Sequence, residues 1–469
     1  MDFGFNTAVQ GLLASQKSLY VTSHNISNTN TKGYSRQEAL QRATIPHLLP
    51  NIGFLGTGTE IYDIVRIRDS YVDFKYWNEN APLGEWAVKR DTLTEIEKLF
   101  GEPSNSSFRQ YLDDFYKSLE SLSTNPSDLS YREPVVETAL ALTKHINETA
   151  ARLLELKEDT KFAIEAREKN INSIANQIAS LNRQIYSMEL DGRKANDLRD
   201  KRDLLVDELS KIVNVRVHES ADGKYTVSIS GVTIVDHTDV NEVKMVEDSE
   251  GKIEFHWENG SKVNLKSGEL KGLLELYNGD GEDNTYRGIP YYQKRLNEFA
   301  KGFAEGFNEQ HNKGYKLNSN DNGGDFFSYN GTNPAATITV ASNILENVEN
   351  IAAGGISGSA EDNGNLLALI DQRNTGVYFG FNSSPDDYIK SIMSNYAVDS
   401  TQAKRMKDSQ EIILQNIESK RNSISGVSLD EEMANMVRFQ NTYVAAARMI
   451  TTMDGIIDVT VNRLGLVGR

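Results

Sequence analysis

The chain has 469 residues, of which 38% are hydrophobic and 25% charged, and its net charge of −17 corresponds to a pI of about 5.0. This acidic balance argues against sequence-independent binding to nucleic acid and against attachment to an anionic membrane surface. The absence of cysteine excludes a disulfide framework, a thiolate zinc site and a cysteine nucleophile. A chain of this length predicts about two to four domains.

The first predicted element is a helix close to the N-terminus. Phe5, Leu12, Leu19 and Ile26 recur every seven residues, which is the spacing of a coiled-coil seam. Residues 3–31 carry one formal charge, so this helix has little surface suited to water. An isolated helix of this size is marginal in water, and we expect it to order on assembly with a partner. The segment also lacks a basic leader, and we expect no cleaved secretory signal.

A turn rich in asparagine and threonine ends this helix. Asn25, Asn28 and Asn30 precede Gly33, which offers the positive φ that a tight reversal needs. Such side chains compete with a helix by bonding to nearby backbone. The excess over what one turn requires predicts a crowded, partly buried joint.

The middle of the chain reads as a helical body that encloses a β module. Apolar periodicity predicts helices over residues 86–122, broken at 101–107, and over residues 134–211, 291–312 and 385–425. The period changes to two at residues 225–229 and 253–257, and the second run leads into an Asn-Gly hairpin turn. No run of about 18 apolar residues occurs, so no membrane insertion is predicted.

A second heptad seam lies at the C-terminal end. Its positions are Leu429, Met436, Tyr443, Ile450, Ile457 and Leu464, with Met433 interleaved. The seam covers 36 residues. Period alone also fits an ordinary amphipathic helix on a globular core, but that length, about 54 Å, favours a coiled coil. Both ends together are electrically neutral, whereas the middle carries the acidic charge.

The predicted fold class is mainly α with inserted β: terminal coiled-coil helices, a long antiparallel helical bundle and a small antiparallel β domain. The predicted divisions are an N-terminal arm and joint (1–50), a helical body (51–212 and 365–428), a β domain (213–270), a helical return (271–313), a loop-rich excursion (314–364) and a C-terminal arm (429–469).

The residue pattern favours a structural role over catalysis. The seven histidines lack the spacing of a metal site, and no GxSxG nucleophile elbow occurs. We therefore predict no cofactor, no metal site and no enzymatic activity. A glycosidase pair among the abundant carboxylates stays open at this stage.

Three segments resemble the bacterial flagellar axial proteins, the rod, hook and hook-associated family. These are AVQGLLASQKSLYVTSHNISNTNTKGYSRQ at residues 8–37, ANDLRDKRDLLVDELSKIVNVRV at 195–217, and residues 425–465. The resemblance identifies a turn motif of Asn25, Asn28, Asn30, Gly33, Tyr34, Ser35, Arg36 and Gln37. The last five positions most resemble the hook-associated members. The chain is compact for the family, which suggests that an outer domain is missing.

The resemblance implies a structural subunit outside the cell, at the junction of hook and filament. Both terminal helices would form an inner tube, with the apolar seam residues named above as the assembly interface. Implied partners are copies of the chain in a ring, the hook protein, a second junction protein and an export chaperone on the C-terminal helix. Export would use the flagellar type III apparatus. A hook or distal-rod subunit is the main alternative, and a flagellum-associated wall hydrolase is a further one.

Overall fold

The computed structural model describes residues 2–50, 53–100, 107–220, 222–375 and 383–463. Its α-helices are α1 (Asp2–Ser27), α2 (Ser70–Phe100), α3 (Phe108–Thr124), α4 (Leu129–Met188), α5 (Asn196–Ile212), α6 (Glu269–Asn278), α7 (Ile289–His311), α8 (Pro334–Thr337), α9 (Ser342–Glu346), α10 (Gly364–Asp371), α11 (Pro385–Ser425) and α12 (Leu429–Asp458). A 3₁₀ turn covers Val348–Asn350, and a π-helical turn, Val459–Arg463, follows α12.

The strands are short, and every pairing among them is antiparallel. They are β1 (Gln37–Ala43), β2 (His47–Leu49), β3 (Gly53–Leu55), β4 (Thr59–Arg66), β5 (Val215–Glu219), β6 (Tyr225–Ile229), β7 (Val232–Asp236), β8 (Asp239–Val240), β9 (Val243–Glu247), β10 (Ile253–Trp257), β11 (Phe327–Ser328) and β12 (Thr339–Val340). β5 to β8 form a four-stranded sheet, and β9 pairs with β10. The predicted class, mainly α with inserted β, is confirmed.

Local signals set the ends of the long helices. The Ser384 hydroxyl accepts a hydrogen bond from the Asp387 N–H ahead of Pro385, and α11 ends before Gly426. The predicted helix at 385–425 is therefore confirmed at both ends. α2 begins at Ser70, well before the predicted start at residue 86. The prediction missed the first turns of this helix because polar and apolar side chains follow one another there without a clear helical period.

α2 and α11 pack as an antiparallel pair along the body. The Gln410 amide donates to the Glu79 backbone carbonyl at 3.0 Å, and the Tyr396 hydroxyl donates to Glu97 at 2.8 Å. Residue numbers therefore increase in opposite directions along the two helices, as an antiparallel pair requires. The 60-residue α4 is the longest helix, and at 1.5 Å per residue it extends about 90 Å.

One hydrophobic core joins α3, α7, the first half of α4 and the first half of α11. Its centre is a group of aromatic rings, Phe115, Phe303, Phe307, Phe326 and Phe327, whose neighbouring centroids lie 4.8 to 6.3 Å apart. Two of these rings come from the segment predicted as a loop-rich excursion. Residues 314–364 therefore pack into the core, although little of the segment is regular helix or strand.

A second core joins the β module to the helices. Alternate side chains of β6 and β10 are buried, as the period of two predicts. They pack with the second half of α4 and with α5 and α6. The domain boundaries given above stay predictions.

A hairpin at residues 37–66 is the main element that the sequence analysis does not anticipate. β1 pairs with β4 with a register shift between Leu40 and Gln41, and β2 with β3 extends the hairpin toward its tip. β1 and β4 pack beside α1. The predicted divisions place this region in the N-terminal arm and the helical body. The alternation of its side chains is weak because these strands pack on a helix rather than on a core of their own.

Candidate assembly site at the chain termini

α1 and α12 pack against each other in antiparallel orientation. At one end Gly4 faces Met453, and a Cβ atom at position 4 would lie 2.6 Å from the Met453 Cε atom. At the other end Arg36, after the turn that follows α1, contacts Glu431 and Glu432 in the first turn of α12. α1, α12 and the hairpin β1–β4 are called the terminal arm below.

The buried stripe of α1 consists mostly of small residues: Ala8, Ala14, Ser15, Ser18, Val21, Thr22 and Asn25. Small side chains let helix axes approach closely. The predicted seam of Phe5, Leu12, Leu19 and Ile26 is thus not the buried face of α1 in the single chain, and its role as the assembly interface stays a prediction. The large side chains flank the buried stripe instead.

The predicted interface residues remain accessible in the single chain. Leu12, Leu19, Ile26, Met436, Ile450 and Ile457 are half-buried, whereas Phe5, Leu429, Met433 and Tyr443 are exposed. Leu464 lies outside the described residues. Glu432 is the one residue of α12 that is buried. The arm therefore keeps much apolar surface uncovered, and its role in assembly stays a prediction.

The turn after α1 closes on the buried side chain of Asn25. Its amide donates to the Gln37 backbone carbonyl at 2.9 Å, and its Oδ1 atom accepts from the Gln37 N–H at 3.0 Å. The Tyr34 hydroxyl donates to the same Oδ1 atom at 2.8 Å. Burial, followed by the charges of Asp197 and Asp200, raises the pKa of Tyr34, so the phenol stays a proton donor. Asn25 thereby pins the start of β1 to the end of α1.

The remaining turn residues act locally. The Asn28 amide donates to the His24 carbonyl at 3.0 Å, and Thr31 donates to the Asn28 side-chain oxygen at 3.1 Å. Gly33 has a φ of +81°, and a Cβ atom there would lie 3.1 Å from the Leu204 Cβ atom. The prediction that Gly33 supplies positive φ is confirmed. The Asn30 side chain is exposed.

The turn is bonded to the N-terminal half of α5. The Asp200 carboxylate accepts from the Ser35 N–H at 2.9 Å and from the Ser35 hydroxyl at 2.8 Å. The Gln37 amide donates to Asp197 at 2.8 Å. The crowded joint expected from the sequence is present, and its partner is a segment about 160 residues away along the chain.

Arg36 lies between the two segments through which the chain passes between the arm and the body, one at Ile67 and one at Ser425. Its N–H donates to the Ser425 carbonyl at 2.8 Å, and its carbonyl accepts from the Ile67 N–H at 2.8 Å. Its guanidinium donates to the buried Glu432 at 2.8 Å. Removing one partner of a buried ion pair typically costs about 3–5 kcal/mol, because the other charge stays desolvated.

Paired charges connect the hairpin to α5. Arg66 contacts Asp200 at 2.7 Å and Asp203 at 2.8 Å, and Arg68 contacts Asp203 at 3.0 Å. Burial raises the pKa of Asp200, although Arg66 and Ser35 favour its charged form. Burial also disfavours the charge on Asp203, but Arg68 and Arg66 outweigh it and the pKa of Asp203 lies below its ordinary value. Asp203 therefore stays ionised beside the two arginines.

These acidic residues were not among the predicted site residues. Asp200, Asp203 and Asp207 are spaced so that they share one face of α5. That spacing was a usable signal, but its arginine partners come from distant parts of the chain. Arg421 near the end of α11 completes the group, with contacts of 2.7 Å to Asp73 and to Asp207.

Among the described residues, no group of histidine, aspartate or glutamate side chains is arranged to hold a metal ion. Nor does any helix in the described ranges combine the length and the apolar character needed to cross a membrane.

Two family models match the chain. The model described as flagellar hook-associated protein FlgK helical domain matches residues 93–327. The model described as flagellar basal body rod FlgEFG protein C-terminal matches residues 418–464.

Full-length relatives are similar along almost the whole chain. Flagellar hook-associated protein 1 of Bacillus subtilis is 31% identical over 502 residues, covering 99% of this chain and 99% of the relative. The protein of that name from Salmonella typhimurium is 25% identical over 563 residues, covering 97% and 99%. That aligned length exceeds the 469 residues of this chain, so the Salmonella relative carries insertions.

A solved structure has the same fold. The flagellar hook junction protein FlgK from Burkholderia pseudomallei superimposes with a TM-score of 0.62, covering 75% of this chain and 100% of that chain. At 14% sequence identity this match concerns the fold alone.

Proposed function

Because the chain belongs to the flagellar hook-associated protein 1 family, we propose that it is the structural adaptor that joins hook to filament in the bacterial flagellum. Its proposed role is to connect the two parts mechanically and not to catalyse a reaction. The body is a preformed rigid unit, and the terminal arm is the part that joins neighbouring subunits.

The observation that carries this proposal is the meeting of three family segments at one joint. The turn after α1, the first half of α5 and the start of α12 are far apart in sequence and bond to one another through Ser35, Asp200, Arg36 and Glu432. Beyond this joint the arm leaves its large apolar side chains accessible. A fixed joint holds the arm in place while the apolar side chains of the arm stay accessible. This arrangement suits a subunit whose arm is buried only by contacts with neighbouring subunits.

Assembly is proposed to proceed by coupled folding of the arm. Burying one leucine or isoleucine side chain contributes roughly 1.5–3 kcal/mol, and ordering one backbone residue costs about 1–2 kcal/mol. A single pair of helices with half-buried side chains gains too little to order firmly. Contacts with further copies would add burial at positions such as Leu12, Leu19, Met436 and Ile450 and so favour the helical arm.

The proposed partners follow from the same surfaces. Copies of the chain form a ring, with the hook protein on one side and a second junction protein on the other. An export chaperone covers the C-terminal helix, where Leu429, Met433 and Val437 are exposed. Export without a cleaved signal through the flagellar type III apparatus brings the subunit to the outside of the cell.

A hook or rod subunit is the second candidate, since residues 418–464 match the C-terminal module of rod proteins. The match of residues 93–327 to the hook-associated helical domain favours the junction role. Deleting the gene and imaging the cells by electron microscopy separates the two candidates. The junction role predicts hooks without filaments and filament protein released into the medium. Loss of the hooks themselves would favour the second candidate, and ordinary filaments would overturn both.

A further inference from the structure

The tip of the unpredicted hairpin carries strongly exposed apolar side chains. Ile45 is 87% exposed, Phe54 75% and Leu48 62%, and Leu48 stands opposite Phe54 in the β2–β3 pair. A two-stranded hairpin without a packed face is marginal in water. Exposed apolar clusters of this kind mark interaction surfaces. The hairpin tip, defined here by Ile45, Leu48 and Phe54, therefore needs a covering surface.

The charge of the chain restricts what that surface can be. Residues 43–59 contain no aspartate, glutamate, lysine or arginine, although the chain as a whole carries a net charge of −17. The neighbouring α1 has a single lysine as its charged residue after Asp2. An uncharged apolar tip is best matched by an uncharged apolar surface, because a buried unpaired charge is costly. The arm of another copy offers such a surface without the repulsion of the acidic bodies.

A groove of suitable character lies on the arm itself. It has a volume of about 390 Å³ between α1, α12 and the end of β3, and its lining includes Gly4, Ala8, Gly11, Leu55, Ala446 and Met449. Every residue that lines it is uncharged. A Cβ atom at Gly11 would meet no atom within 4 Å, so the groove is open above this position. This volume is within the range of pockets that enclose small organic groups.

We propose that the hairpin tip of one copy docks in the α1–α12 groove of a second copy. The inference rests on the proposed function and adds a specific contact to it. Leu55 lines the groove, whereas its neighbour Phe54 points to the opposite face of β3. The tip and the groove are therefore different surfaces of one chain, so the contact is heterologous and each copy both gives and receives it. Repetition of a heterologous contact produces a ring or a helical array. The hairpin thus becomes a third assembly element beside the two terminal helices.

Cysteine pairing tests the contact directly, because the chain has no cysteine of its own. Phe54→Cys and Ala446→Cys are introduced together, and isolated hook–filament structures are oxidised and run on non-reducing gels. The expected result is a ladder of covalent multimers from the double variant and monomers from each single variant. Dimers from Phe54→Cys alone would mean a tip-to-tip contact and would overturn the proposal. So would monomers from an assembled double variant.

Two matched pairs of variants test the contact by its effect on assembly. Phe54→Ser is compared with Phe162→Ser, which removes a ring of nearly equal exposure, 73%, from the body. Gly11→Leu fills the groove and is compared with Gly11→Ala. Loss of one buried apolar group weakens an interface about tenfold or more, so we expect Phe54→Ser and Gly11→Leu to reduce filament-bearing cells at least to that extent. The two controls should behave as the natural chain.

As soluble proteins, these variants should unfold at the same temperature as the natural chain, because none of the replaced residues is buried in the natural chain. Normal filaments with Phe54→Ser and Gly11→Leu would overturn the docking contact and leave the junction role intact. Normal filaments in the deletion strain would instead overturn the junction role. If the double cysteine variant does not assemble, equal filament loss in Phe162→Ser would count against the contact, and loss confined to Phe54→Ser would support it.

Discussion

Replacing Asn25 with alanine should loosen the joint without unfolding the body. The Asn25 side chain makes three hydrogen bonds, at 2.8, 2.9 and 3.0 Å, and two of them satisfy the N–H and the carbonyl of Gln37. Both residues are buried. Leaving a buried polar group unpaired costs about 1–3 kcal/mol, so we expect the joint to lose about 3 kcal/mol of local stability.

Amide hydrogen exchange of the soluble protein measures this loss at the site itself. A change of about 3 kcal/mol corresponds to roughly a hundredfold faster exchange at the Gln37 N–H. Asn30→Ala is the matched control, since the Asn30 side chain is exposed in the same turn, and it should change exchange little. Unchanged protection of Gln37 in Asn25→Ala, with the control also silent, would refute the view that Asn25 holds the joint together.

Three further predictions concern the arm and the body. Leu12→Asp should block incorporation into flagella while leaving the melting temperature of the monomer unchanged, because Leu12 is only half-buried; a large drop in melting temperature would contradict an arm that orders on assembly. His311 is fully buried, and burial lowers its pKa to about 4. Because its pKa in the unfolded chain is about 6.5, the neutral His311 stabilises the fold fully above pH 6.5, and the free energy of unfolding should fall by up to about 3 kcal/mol toward pH 4. Denaturant titrations between pH 7 and 4 should show this loss, and His311→Gln should flatten it; an equal slope in both proteins would exclude His311 as the cause. Arg132 is fully buried and donates to the Pro126 carbonyl at 2.7 Å and the Ile351 carbonyl at 2.8 Å, so Arg132→Met should lower the free energy of unfolding by about 3 kcal/mol, whereas the exposed Arg152→Met should not; equal stability of the two variants would speak against this role.

The sequence predicted best those elements whose signals are local. The Ser384–Pro385 start and the Gly426 stop give the bounds of α11. Alternating side chains give β6 and β10, and the Asn-Gly turn gives the return after β10. The family resemblance is confirmed by relatives that extend over nearly the whole chain. Each of these conclusions rests on residues close together in sequence or on motifs that need no partner.

The parts that the sequence did not predict depend on contacts between distant segments. β1 and β4 are shaped by packing against α1, so their own alternation is too weak to indicate strands. The face that α1 buries was also missed, because heptad spacing identifies the large residues while close approach to α12 selects the small ones. Likewise, the sequence alone shows Asp200 and Asp203 as ordinary acidic residues of a helix. Their role becomes visible only in the fold, which places Arg66 and Arg68 beside them.

The clamp around Arg36 has a mechanical consequence. The chain crosses from arm to body at Ile67 and returns at Ser425, and the backbone of Arg36 is hydrogen-bonded to both crossings. The arm and the body are therefore joined by two covalent paths held side by side, and such a linkage resists twisting better than a single connection.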